Sequence, residues 1–211
     1  MTIRVPAFFE DVPAITVLDR LADLLGAAEN GRIEYRYVDA VKLAGHSCPT
    51  VAGSWLMTVK ALARLYPDSA PERGNIKVEL RGAQDDGAEG VVAMIASLIT
   101  GAAGAGGFKG IAGRHNRRNL LEFGVPIRGR LRFTRLDTQR AVEADYHPER
   151  VPMPPDMKAL LASATVPNAN EDARRAFAQR WQEWVRAILI DHRDDPRLVE
   201  VNESSEAELT R

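Results

Sequence analysis

Cysteine is all but absent from this chain. Cys48 is the only one among 211 residues, which excludes an intrachain disulfide and any cluster built from several thiolates of one chain. An excess of charge is missing too: 28 Lys and Arg stand against 29 Asp and Glu, a formal charge of −1. No global field therefore draws nucleic acid, and no stretch interleaves aromatics with a dense basic run, so nucleic acid is not an expected partner. The opening "MTIRVPAFFEDVP" lacks the basic start and continuous apolar segment of a signal peptide. Together with the lone thiol, this sets the expectation of a cytoplasmic location. No internal repeat or low-complexity tract is visible. The longest uncharged run, "GVVAMIASLITGAAGAGGF" over residues 90–108, approaches the ~20 residues of a spanning helix. Its second half is mostly Gly and Ala, so it reads as a buried helix that ends near Thr100 and opens into a glycine-rich loop, and no membrane partner is expected.

What is present suits an ordinary folded chain. With 45% hydrophobic and 27% charged residues, it has enough apolar material for one sizeable core and an appendage. The apolar spacing of Ile15, Leu18, Leu21, Leu24 and Leu25 predicts an amphipathic helix over 13–28 that packs on the core. "RIEYRYVDA" alternates Ile33, Tyr35 and Tyr37 against charged residues and predicts a strand leading into the turn that holds Cys48. Further along, a helix from Pro49 to Leu65, the strand "IKVEL" and a helix over 87–100 are expected. "IRGRLRFTRLD" and "RAVEADYH" read as a β-hairpin joined near Asp137 and Thr138. After the proline-rich "VPMPPDMK", helices are expected near 156–162 and 171–190, the second with Phe177, Trp181, Trp184 and Ile188 on one face. The expected architecture is α+β, a mixed or antiparallel sheet packed with helices. Residues 1–150 form the core domain in this reading, 151–192 a helical extension packed on it, and 193–211 a frayed tail.

The chemistry concentrates in "LAGHSCPTVAGSW", where His46 precedes Cys48 by two residues and Pro49 follows it. An extended backbone returns to the same face every second residue, so an imidazole and a sulfur in this pattern can reach one ion or one substrate. Pro49 suits the first turn of a helix, which puts the thiol at a helix N-terminus, where unpaired N–H groups and the helix dipole favour an anion. A lone cysteine also serves as a small hydrophobe in many cores. The "GAAGAGGFKG" segment fits neither common phosphate-loop spacing and follows a helix instead of preceding one, so a tight backbone crossing is expected there.

"GHSCPTVAG", followed by "DDGAEGVVAMIASLITGAAGAGGFKGIAGRH", resembles the FmdE-like family, the relatives of one component of formylmethanofuran dehydrogenase, over residues 38–121. The resemblance implies an α+β core, a homodimer, and a metal site at the His-x-Cys pair, with zinc the expected divalent transition metal and nickel or iron as alternatives. Thr50, Gly87 and Ala102 stand where the family carries a glycine and two cysteines, and the C-terminal zinc finger of some members has no cysteines to form it. A mixed site of imidazole, thiolate and carboxylate stays open, since zinc accepts all three. His115, Asp85 and Asp86 are the further candidate ligands. His115 is flanked by Arg114, Arg117 and Arg118, which also suits a solvated loop, and the aspartates also suit caps of the following helix. The expected function is metal binding in a metal-handling or accessory protein, with a metal ion or a small molecule as its ligand. One alternative is an enzyme that uses the metal, or the Cys48 thiolate with His46 or His115 as its base. The other is a pocket for an organic cofactor walled by Trp55, Met57 and the glycine-rich loop.

Overall fold

The computed structural model describes residues 3–204. Its centre is helix α3 (Pro49–Leu65), buried at every position from Val51 to Thr58. That burial is tolerable because the polar side chains inside it are satisfied: the hydroxyls of Ser54 and Thr58 donate to the carbonyls four residues back, at 2.7 and 2.8 Å. A five-stranded sheet lies along one side of α3 in the order β4 (Leu121–Glu122), β3 (Ile76–Leu80), β5 (Leu131–Arg135), β6 (Ala141–Tyr146) and β7 (Val199–Glu203). β3 and β4 run parallel and the remaining pairs antiparallel. Ile76, Val78, Leu80, Leu131, Phe133, Val142 and Ala144 are fully buried in the same core as α3. Helices α2 (Tyr37–Ala44) and α4 (Glu89–Thr100) pack on α3 and on each other. A two-stranded antiparallel sheet of β1 (Ile15–Leu18) and β2 (Arg32–Tyr35) flanks this core. Helices α5 (Met157–Thr165) and α6 (Glu171–Arg186) form the extension, and α6 continues into a π-helical turn over Ala187–Asp191 that buries Ile188 and Leu189.

The α+β class is as the sequence predicts, and so are the hairpin, the two C-terminal helices and the bounds of α3. Three expectations are corrected. Residues 13–28 do not form one helix. The β-branched run Ile15, Thr16, Val17 is strand, and the helix α1 (Arg20–Leu24) begins only after Asp19, whose carboxylate accepts the N–H groups of Leu21 and Ala22. Leu24 and Leu25 are about 60% exposed and pack on nothing central. The strand at 32–37 stops at Tyr35, because the Asp39 side chain accepts the Arg36 N–H at 2.9 Å and starts α2, which intervenes before the cysteine turn. Finally, the tail is not frayed where it is described. Leu198 and Val199 are buried and β7 pairs with β6 over five residues, while residues 205–211 lie outside the described range. Among the described residues no helix is long and apolar enough to cross a membrane.

The glycine-rich loop is a tight crossing, and what it closes around is Arg117. Arg117 is 6% exposed, its guanidinium pairs with Asp19 at 2.7 Å, and Arg73 holds the other oxygen of the same carboxylate at 2.8 Å. A Cβ at Gly74 would fall 1.5 Å from the Arg117 Nη1, and one at Gly107 would press on the Arg117 carbonyl, so both sites require glycine for room. The Arg117 carbonyl accepts the Ala103 N–H, and its own N–H donates to the Phe108 carbonyl.

Candidate functional site

The turn carrying His46 and Cys48 spans four residues between two helices. Gly45 ends α2 in the left-handed region at φ 76°, its N–H bonding the Val41 carbonyl. Cys48 is extended at φ −150° and ψ 168°, and its Sγ accepts the Val51 N–H at 3.5 Å, so the thiol itself is the N-cap of α3. Pro49 then occupies the first helical position, as expected.

Between the two candidate ligands, Ser47 is anchored from three directions. Its Oγ hydrogen-bonds the Tyr37 hydroxyl at 2.9 Å, and its carbonyl accepts from Trp181 Nε1 at 2.9 Å and Gln182 Nε2 at 3.3 Å. The helical extension thus reaches back and fixes the turn. Tyr37 is fully buried, edge-on to Phe9 and Trp55. Burial, outweighing the Ser47 hydrogen bond, pushes its phenol above the ordinary tyrosine value and keeps it neutral. Tyr146 at the end of β6 is similarly raised, by burial first and then by the neighbouring Cys48. Its ring lies against α3 at Gly53, where a Cβ would come within 2.4 Å, and its hydroxyl is buried without a partner among the described residues.

His46 and Cys48 occupy different surroundings. The imidazole is exposed, while the thiol is half-buried against the core. His46 Nδ1 lies 3.0 Å from the Ala44 carbonyl. A carbonyl only accepts, so this contact assigns the proton to Nδ1 and leaves the Nε2 lone pair free, the arrangement in which metal-ligating histidines are held by their surroundings. The remaining candidates do not complete a cluster: among the described residues no three of the His, Cys, Asp and Glu side chains are grouped to hold a metal ion. Asp85 and Asp86 sit exposed in the turn before α4, and no side chain caps that helix. His115 is half-buried in the loop after the glycine-rich crossing, in the left-handed region at φ 60°. Met57 is closed into the core at 0% exposure, and the glycine-rich loop is occupied with Arg117.

No spacing in the sequence ties Tyr37, Tyr146, Trp181 and Gln182 to this turn, since they come from three elements up to 135 positions away. Trp181 carried a faint signal, as an indole on a helix face whose N–H must find an acceptor when buried. No known family model and no curated protein matches the chain.

Proposed function

We propose that the chain is a transition-metal-binding protein of the FmdE-like type, with His46 Nε2 and Cys48 Sγ as ligands of one divalent ion, zinc first among the candidates, in a metal-handling or accessory role. The His46 Nδ1 contact with Ala44 carries this reading, because it presents the other nitrogen outward two residues from a thiol that already accepts an N–H. Two protein ligands make a weak site, so the rest of the coordination shell comes from a second copy of the chain, in keeping with the homodimer the family resemblance implies, or from a small-molecule ligand. The bound ion would act as a Lewis acid toward whatever completes its shell.

Metal analysis of protein purified without a histidine tag tests the reading. The expected result is about one transition-metal ion per chain, with most of it lost in Cys48→Ser and in His46→Ala while both variants still melt cooperatively. Retention of metal by Cys48→Ser removes the thiol from the ligand set. A metal-free protein that cannot be reconstituted, with Cys48 alkylated by iodoacetamide well below about pH 8, replaces the metal reading with a nucleophilic cysteine.

A further inference from the structure

Along α3 a groove of about 300 Å³ opens between the N-terminal segment, the helix and the turn that follows the π-helical residues. Its walls are apolar: Val12 and Pro13 on one side, Trp55, Leu56 and Val59 on the helix. Trp55 is 1% exposed and Leu56 3%, so the floor is part of the packed core and is rigid. Lys60, Arg193 and Asp194 also line the groove. Arg193 is committed to Asp194 at 3.0 and 3.2 Å, and Asp195 to Arg197 at 3.1 and 3.2 Å. Lys60 is half-buried and makes no ion pair or hydrogen bond among the described residues. Burial lowers its proton affinity below that of an ordinary lysine, partly offset by the charges of Asp194 and Asp195.

We infer that this groove binds a small amphipathic monocarboxylate, its apolar body against Pro13 and Val59 above the closed floor of Trp55 and Leu56 and its carboxylate on the Lys60 ammonium. An ammonium held at an apolar wall without a carboxylate in contact is the costly state, and an anionic head group relieves it. The single unpaired cation and the adjacent Asp194 disfavour a phosphate dianion, and the walls offer a sugar or a peptide few polar partners. The groove shares no residue with the His46–Cys48 turn, so its ligand binds whether or not that turn holds a metal.

Octanoate is the probe, titrated into the full chain and followed by calorimetry and by ¹H–¹⁵N chemical shifts. Saturable binding with shifts centred on residues around Trp55 and Lys60 is expected. Lys60→Met should weaken it about tenfold, Lys60→Arg should largely retain it, and Ala63→Trp, placed at an exposed position of the rim, should block it. Melting curves of each variant separate lost binding from lost folding. Octanol or octylamine binding as tightly as octanoate, equal binding by Lys60→Met, or no saturable octanoate binding overturns the inference.

Discussion

Residue by residue, the turn at 45–48 is fixed less by its own sequence than by the donors brought to Ser47. Trp181 contributes one hydrogen bond to the Ser47 carbonyl, and Trp181→Phe deletes that donor while keeping most of the ring packing. Chemical denaturation should register a loss of about 1 kcal/mol. If the turn holds a metal as proposed, its retention in the same variant should fall as well, because the Ser47 carbonyl is then held through Gln182 alone. Unchanged retention would make the tie structural only. Gly53 is a second test of packing at this turn. A Cβ there would meet the Tyr146 ring, so Gly53→Ala must displace the ring or the helix, a cost of about 1–3 kcal/mol read from the urea midpoint. A midpoint equal to that of the unmodified protein would show that Tyr146 yields freely.

Among the helices and strands, the C-terminal strand carries weight out of proportion to its composition. β7 supplies five register pairs to β6, and Leu198 just before it and Val199 at its start are buried. A chain ending at His192 exposes the edge of β6 and removes both side chains from the core. Burying such side chains contributes about 1.5–3 kcal/mol each, so the truncated chain should lose about 3–6 kcal/mol and melt without a cooperative transition or aggregate through the bared edge. Circular dichroism and size-exclusion chromatography of the truncated chain decide this, and an unchanged melt would reduce β7 to an ornament of the sheet.

For the molecule entire, two buried carboxylates set the response to acid. Burial pushes Asp19 upward, but the Arg73 hydrogen bond, the Ala22 N–H and the charges of Arg117 and Arg73 outweigh it and hold the carboxyl below its ordinary range. Glu79 behaves alike, with burial opposed by Arg132, which grips both its oxygens at 2.6 and 2.8 Å, and by Lys77. A carboxyl depressed in the folded state contributes stability that is complete above the unfolded value of about 4 and is lost as pH falls through the folded value. The melting temperature should therefore be insensitive to these groups above about pH 5 and fall below about pH 4. Asp19→Asn leaves Arg117 and Arg73 without their counter-charge in a buried setting and should cost about 3–5 kcal/mol at neutral pH. An Asp19→Asn protein as stable as the unmodified one would show that the guanidiniums find other partners. Assembly is a property of the same order. If a second copy completes the proposed metal site, light scattering should give twice the chain mass, and a monomer at every concentration removes that source of ligands.

Local pattern suffices for the elements whose signals are short-range. Pro49 and the apolar spacing after it mark α3, alternation marks β3 and the β5–β6 hairpin, and the indoles mark α6. The same kind of pattern placed Cys48 at a helix start with His46 two residues before it, and it located the glycine-rich crossing. Packing settled what remained. Ile15 to Leu25 has a helical apolar spacing, yet a single buried carboxylate, Asp19, paired with arginines 54 and 98 positions away, divides it into strand and helix. Residues 199–203 look too polar to be ordered, yet they complete the edge of β6, because a strand needs only one buried face and partners for its backbone. At the turn, short-range pattern named the two candidate ligands, while the groups that hold it converge from α2 and α6. Such convergence depends on how those elements pack around α3, and no local spacing in the chain records it.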